Sequence, residues 1–193
     1  RSDGHKVERL AFVLCAGSRD TRFHEYCSGV CCMYAVKEAI WACRRSKDLR
    51  ATIFFTDLRA CGKGFQEYVQ MAEETGQIQF IRSRPGRIEP IKGNGPLQIM
   101  YEDTTQRNTQ EMKVDMVVLT PPIVPAAGTD GLATLFGIER SREGFIFLST
   151  ESAKSGVLAC GCCQGPADAM QSINSASAAA LRAAEIITRG RAL

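Results

Sequence analysis

Four cysteines lie within a short stretch near the start of the chain, CAGSRDTRFHEYCSGVCC, at Cys15, Cys27, Cys31 and Cys32. Thiolate sulfur is a preferred ligand of zinc and of iron–sulfur clusters. Zinc sites usually use two closely spaced cysteine pairs, and that pattern is absent here, whereas a multi-iron cluster takes ligands from several directions. The spacing therefore favours an iron–sulfur cluster. Zinc binding, thiol–disulfide exchange and plain burial of the thiols are the alternatives.

Two more polar residues, Arg19 and His24, lie inside the same stretch. A cation near a cluster favours the reduced, more negative state of that cluster, and a histidine can replace one thiolate. The alternative interpretation is that both side chains face solvent in a loop.

A second group of cysteines, Cys160, Cys162 and Cys163, occurs in the sequence ACGCCQGPADAMQSINSASAAALRAAEII. This pattern predicts a glycine-containing loop followed by a long helix of small residues. The start of such a helix offers N–H groups and a positive dipole end to an anionic or electron-rich ligand. The alternative is an alanine-rich helix that only packs.

Composition narrows the possible classes of protein. The chain has 193 residues, a formal net charge of +3 and nine cysteines, an odd number that argues against a secreted disulfide framework. We therefore expect a cytoplasmic location. Basic residues are scattered, so we expect no nucleic-acid binding. No apolar run approaches the roughly 20 residues that cross a bilayer, and the polar amino terminus has no signal-peptide core. Because it also lacks an initiator Met, we expect a processed or truncated chain, or one piece of a longer polypeptide.

The first half of the chain predicts an α/β fold with a parallel sheet and helical crossovers. Apolar runs and capping signals indicate alternating strands and helices, at Arg9–Leu14, Ser28 to about Ser46, Ala51–Phe55, Lys63–Thr75 and Ile78–Ile81. Asp57, directly after the second strand, lies too far from the first loop to hold a nucleotide ribose, so we interpret it as a loop N-cap.

The segment after Ile81 has a different sequence pattern. Turn signals at Pro85-Gly86 and Asn94-Gly95 predict a small antiparallel β-meander before a buried strand at Met116–Leu119. Beyond the crossover Pro121–Gly128 we expect further short elements, namely a helix near Leu132, strands at 144–148 and 156–159, and a closing helix at about 169–189.

Several catalytic motifs are missing from the sequence. There is no G-x-G-x-x-G, no Walker motif, no H-E-x-x-H and no G-x-S-x-G. With His5 and His24 as the two histidines, we expect no hydrolytic triad.

A specific resemblance emerges from the motifs FVLCAGSRD, YCSGVCCMYA, TIFFTDLRACGKGFQEY, IRSRPGRIEP and GVLACGCCQGP, which occur in that order. Together they resemble the A subunit of heterodisulfide reductase and the related flavoprotein subunits of the quinone-interacting membrane-bound oxidoreductase. The resemblance implies a fold of the thioredoxin-reductase type. Residues 1–120 would form a degenerate NAD-binding-like domain, and residues 121–193 the carboxyl-terminal part of an FAD-binding domain whose front half is absent.

The resemblance also implies cofactors and partners. The family carries a [4Fe-4S] cluster on the cysteines that correspond to Cys15, Cys27, Cys31 and Cys32, and it binds FAD. It passes electrons between the flavin and partner iron–sulfur subunits. We therefore expect an oligomeric electron-transfer complex, in which the chain is not itself transmembrane and can be peripheral to a membrane complex.

The FAD-side candidates are carried over from the GCCQGP motif, at Gly161, Cys162, Gln164 and Gly165. Cys162 stands where the wider class of flavoproteins has an aspartate that binds the flavin. The first loop, AGSRD, has a single glycine where a pyrophosphate would need close approach to the backbone. We therefore expect that NAD(P) binding is lost.

Overall fold

The computed structural model describes residues 4–93, 95–104, 106–148 and 156–190. The chain divides into two compact units, Arg1–Pro122 and Ile123–Leu193. Among the described residues, no helix combines the length and the apolar character needed to cross a membrane.

The first unit is built around a four-stranded parallel sheet. Its strands, β1 (Arg9–Val13), β2 (Arg50–Phe55), β3 (Ile78–Arg82) and β7 (Met116–Leu119), are ordered β3-β2-β1-β7. In β1, Leu10 and Phe12 belong to one apolar core, while Ala11 and Val13 belong to another. Successive side chains of a strand point to opposite faces, so β1 is buried on both sides.

Two helices cross over between the strands. Helix α1 (Cys31–Arg45) follows β1, and α2 (Phe65–Glu74) follows β2. The sequence predicted Ser28 as the N-cap of α1, which is wrong because the N-cap is Val30, two residues later. Gly29 has φ +71°, a left-handed conformation that cannot continue a right-handed helix, and Val30 is the residue before the first turn.

The predicted β-meander forms a three-stranded antiparallel sheet of β4 (Arg87–Pro90), β5 (Leu97–Asp103) and β6 (Asn108–Val114). Ile99 and Val114 from this sheet share an apolar core with Ala11, Val13 and Phe54 of the parallel sheet. The ring of Phe54 meets that of Tyr101 edge to face at 5.0 Å between centroids. The parallel sheet is thus covered by α1 and α2 on one face and by the meander on the other.

The second unit contains α3 (Thr129–Phe136), a short hairpin of β8 (Glu139–Arg140) and β9 (Ile146–Phe147), and the long helix α4 (Ala169–Gly190). A single 3-10 turn, Gly161–Cys163, precedes α4. The predicted strand at 156–159 is not formed, and the one predicted at 144–148 is confined to the two residues of β9. Short apolar runs do not by themselves supply a pairing strand.

Asp115, between β6 and β7, ties the start of β1 to the end of the meander. Its Oδ2 accepts hydrogen bonds from the backbone N–H groups of Glu8 (3.1 Å) and Arg9 (2.8 Å), and its Oδ1 lies 2.7 Å from Nη2 of Arg9. The hydrogen bond from the Arg9 side chain, followed by those from the two backbone N–H groups, lowers the pKa of Asp115 below its ordinary value of 3.8.

We expect Asp115→Asn to lower the free energy of unfolding by about 1 kcal/mol near neutral pH, after allowance for solvent screening of the ion pair. Folding lowers the pKa of this group, so its contribution is full above about pH 4 and is lost as the pH falls through the folded value. Urea unfolding followed by the fluorescence of Trp41, at several pH values, measures this difference. Asp48→Asn, which breaks an exposed pair with Lys6, is the matched control and should change little. Equal effects of the two substitutions would contradict the prediction.

Candidate metal centre

The four cysteines of the first stretch lie at the carboxyl end of the parallel sheet. Cys15 leaves β1 in a left-handed conformation (φ +58°), Cys27 lies in the following loop, and Cys31 and Cys32 are the first two residues of α1. Cys15, Cys31 and Cys32 are buried, at 4%, 1% and 3% exposure, and Cys27 is partly exposed. All four are free thiols. The βα connection therefore brings four sulfur atoms into one region.

These sulfur atoms influence one another electrostatically. Burial and then the sulfur of Cys32 raise the pKa of Cys15. A hydrogen bond between the adjacent thiols lowers the pKa of Cys32 and raises that of Cys31, with Cys27 and Cys15 adding to the rise at Cys31. The Cys15, Cys27, Cys31 and Cys32 side chains are thus mutual neighbours rather than separate core residues.

Backbone groups also approach the sulfur atoms. The N–H of Gly29 donates to Sγ of Cys27 at 3.3 Å, and a backbone hydrogen bond from Arg59 helps to lower the pKa of Cys32. Sγ of Cys32 lies 3.8 Å from the carbonyl oxygen of Asp57. N–H donors to sulfur are among the interactions that tune iron–sulfur clusters.

The sulfur atoms are not arranged around a single point. Within the described parts of the chain, no three histidine, cysteine or carboxylate side chains converge closely enough to hold one metal ion. A structural zinc site requires four ligands at about 2.0–2.3 Å from one ion. The described side chains therefore do not form such a site for one zinc ion.

Arg19 belongs to the loop after β1, and its side chain reaches the segment that follows β2. Its Nη2 contacts Oδ2 of Asp57 at 2.7 Å, and Nη2 of Arg82 lies 3.5 Å from Oδ1 of the same carboxylate. The hydrogen bond from Arg19 lowers the pKa of Asp57. The interpretation of Asp57 as a loop N-cap is therefore wrong, because its carboxylate pairs with two arginines and α2 begins after Gly64 without a side-chain cap. The alternative that Arg19 simply faces solvent is wrong as well.

The predicted ligand alternative His24 lies in the same loop, where its ring packs against Tyr26 at 5.5 Å between centroids. Its carbonyl accepts a hydrogen bond from the N–H of Asp20. These contacts give His24 a part in the shape of the loop.

Sequence reasoning missed Arg84. Its Nη2 donates to the carbonyl oxygens of Cys15 (3.1 Å) and Ser18 (3.4 Å) and lies 3.3 Å from Oδ2 of Asp20. Arg84 follows β3, which ends at the same edge of the sheet, and it braces the cysteine loop from that side. The carboxyl ends of neighbouring parallel strands meet at one edge of a sheet. The positions of Asp57 and Arg84, after β2 and β3, could therefore have indicated that both residues lie near the cysteine loop.

In the second unit, the GCCQGP residues form the 3-10 turn and the segment after it. Gly161 has φ +67°, and its N–H donates to Oγ of Ser175 in α4 at 2.8 Å. Cys162 and Cys163 are exposed. Of the four FAD-side candidates, Gly161 and Cys162 therefore lie in the 3-10 turn, and Gln164 and Gly165 follow directly after it.

The start of α4 differs from the sequence-based expectation of free N–H groups. Oδ1 of Asp168 accepts from the N–H of Gln171 at 2.7 Å, and Oε1 of Gln171 accepts from the N–H of Asp168 at 2.9 Å. This reciprocal capping box satisfies two donors, so the protein itself occupies part of the helix terminus.

Comparison with known proteins places these features in context. No model of a known protein family matches the chain. It is 38% identical, over 98% of its length, to the second iron–sulfur A subunit of CoB–CoM heterodisulfide reductase in Methanopyrus kandleri. It is 37% identical to the A subunit of the H(2):CoB-CoM heterodisulfide,ferredoxin reductase of Methanothermobacter thermautotrophicus, again over 98% of its length. In both cases the chain spans 30% of the relative.

Solved structures support the fold. The thioredoxin reductase of Lactococcus lactis superposes with a TM-score of 0.60 over 96% of this chain and 54% of that protein, at 18% identity. The thioredoxin reductase of T. acidophilum gives a TM-score of 0.58 over 93% of this chain and 53% of that protein. The fold is thus of the thioredoxin-reductase type, and by sequence the chain is homologous to a segment of the A subunit of heterodisulfide reductase.

Proposed function

We propose that Cys15, Cys27, Cys31 and Cys32 bind a [4Fe-4S] cluster, and that the chain takes part in a heterodisulfide-reductase-type oxidoreductase as an electron relay. The observation that supports this most directly is the meeting of four free, mutually interacting sulfur atoms at one sheet edge. When bound, the cluster supplies a one-electron redox centre. The chain's own residues bind it, shield it through burial of three cysteines, and direct N–H groups toward sulfur.

The residues present fit such a group on independent grounds. Nη1 of Arg19 and Oγ1 of Thr120 are buried and have no hydrogen-bond partner in the part of the chain that the structure describes, and both residues lie at the carboxyl edge of the parallel sheet. Unsatisfied buried polar atoms are rare in native proteins and often mark a ligand that completes the site. A sulfur-rich anion would supply acceptors to a cation at this edge.

For the flavin, we propose that Gly161, Cys162, Gln164 and Gly165 contact FAD, with the remainder of the flavin site contributed by other residues. The left-handed Gly161 and its hydrogen bond to Ser175 hold the turn against α4, where a small-residue helix permits close approach. FAD released from the purified protein by acid and identified by chromatography tests this part of the proposal.

We further propose a cytoplasmic protein that works with partner iron–sulfur subunits in an oligomeric complex. The proposed complex is supported by large apolar side chains that the second unit exposes on α3 and α4, including Leu135, Met170, Ile173 and Leu181. Exposed apolar surface of this kind marks sites of protein interaction. Co-purification of the tagged protein with other iron–sulfur subunits, and its molecular mass in solution, test this proposal.

The proposed cluster is tested by anaerobic purification followed by iron, sulfide and zinc determination. A brown protein with about four iron atoms per chain is expected. A colourless anaerobic preparation with stoichiometric zinc would favour a structural or zinc-binding scaffold instead.

The same loop leads us to expect that NADH does not bind. A dinucleotide site needs glycines at which the backbone approaches the pyrophosphate. Here Cys15 and Cys27 lie in the connection between β1 and α1, Cys31 and Cys32 begin α1, and the glycines of the connection are Gly17 and Gly29. A fluorescence titration of the intact protein with NADH should show no saturation. Tight, saturable binding would contradict both this expectation and the use of the loop for a cluster.

A further inference from the structure

Arg19 is held in place by more contacts than an ordinary loop arginine. Its backbone has φ +53°, a left-handed conformation that is unfavourable by about 1–2 kcal/mol for a residue with a Cβ atom. Its N–H donates to the carbonyl oxygen of Tyr26, and its Nη2 contacts Asp57 at 2.7 Å. The side chain is 27% exposed. The fold therefore holds both the backbone and the guanidinium group of Arg19 in place.

The second terminal nitrogen of the Arg19 guanidinium group, Nη1, differs from Nη2. Nη1 is buried and has no hydrogen-bond partner among the described residues. A buried donor without an acceptor costs about 1–3 kcal/mol, and more for a charged group. The N–H of Ser18, the residue before Arg19, donates to the carbonyl oxygen of Cys15, and the N–H of Arg19 donates to that of Tyr26, the residue before Cys27. The unused donor therefore belongs to a segment held between two of the proposed ligands.

Arg84 and Arg22 do not share this position, whereas Arg59 also approaches Cys32, through its backbone N–H and its charge. Nη2 of Arg84 is engaged by the carbonyl oxygens of Cys15 and Ser18. Arg22 is 78% exposed and pairs with Asp20. Arg19 thus combines a fixed side chain, a nearby set of sulfur atoms and a free buried donor.

We propose that Arg19, positioned by Asp57, donates an N–H group to sulfur in the cluster site and raises the midpoint potential of the cluster. This inference rests on the proposed function. Reduction adds one electron, and hence one negative charge, to a cluster that is already anionic. A fixed cation and an N–H donor stabilise the added charge, so they favour the reduced form.

The test is an EPR-monitored redox titration of the full chain after anaerobic reconstitution, with dithionite as reductant. Arg19→Gln removes the charge and keeps a polar side chain of similar reach. At a fixed solution potential we expect its ratio of reduced to oxidised cluster to fall about tenfold, equivalent to about 59 mV for a one-electron couple. Arg19→Lys keeps the charge and loses the planar fork, so its potential should lie between those of Arg19→Gln and the wild type. Arg22→Gln removes the same charge from the same loop and should leave the potential unchanged.

The outcomes separate this inference from the proposed function. A wild-type protein that holds no cluster would overturn the proposed function and the role of Arg19 with it. A cluster that is retained in Arg19→Gln with an unchanged potential would overturn the role of Arg19 alone, as would an equal shift in Arg22→Gln. If Arg19→Gln loses the cluster, Arg19→Lys decides the question. A potential below the wild-type value supports the inference, and an unchanged one refutes it.

Discussion

Substitution of Cys15 or Cys31 by alanine is expected to abolish cluster binding. Both side chains are buried beside the other proposed ligands, Cys15 directly after β1 and Cys31 at the start of α1. Loss of one ligand leaves an iron atom of the cluster without its thiolate. After anaerobic purification, iron per chain should fall from about four to below about one, together with loss of the brown colour.

Cys43 provides a matched control because it is another buried thiol on the same helix. Its exposure is 4%, and its sulfur lies 3.9 Å from the carbonyl oxygen of Leu49, at the end of α1 away from the proposed ligands. Cys43→Ala should retain the full iron content. If Cys43→Ala lost iron while Cys15→Ala and Cys31→Ala retained it, the proposed ligand set would be refuted.

The strands and helices of the first unit could be predicted from local patterns. Short apolar runs bounded by turn residues identified β1, β2, β3 and β7, and the turn dipeptides identified the meander. The start of α1 was misplaced because Ser28 has the chemistry of an N-cap, whereas the left-handed conformation of Gly29 delays the first turn. The sequence pattern does not show backbone conformation at one residue.

The ion pairs of the site were harder to predict because they depend on strand order. Arg19 and Asp57 are distant in sequence, yet the loops after β1 and β2 meet since these strands are neighbours in the sheet. Arg84 approaches the same loop from beyond β3. Once the order β3-β2-β1-β7 is given, the convergence of these residues follows. Whether the four cysteines and the Gly161 turn bind the proposed cofactors stays a prediction.

Phe54→Ala is expected to destabilise the first unit by about 3–5 kcal/mol. Phe54 lies in the strand that leads to Asp57, and its side chain is fully buried between the parallel sheet and the meander. Removal of the ring loses the edge-to-face contact with Tyr101 and leaves a cavity against Ile99 and Val114. Native stabilities are only about 5–15 kcal/mol, so this loss is a large share of the total.

Urea unfolding followed by the fluorescence of Trp41 measures the effect, because this single tryptophan lies on α1 in the first unit. The matched control is Phe23→Ala, which removes the same side chain from an exposed position in the cysteine loop and should change the unfolding free energy by less than about 0.5 kcal/mol. Similar midpoints for Phe54→Ala and the wild type would show that the meander does not pack on this face of the sheet.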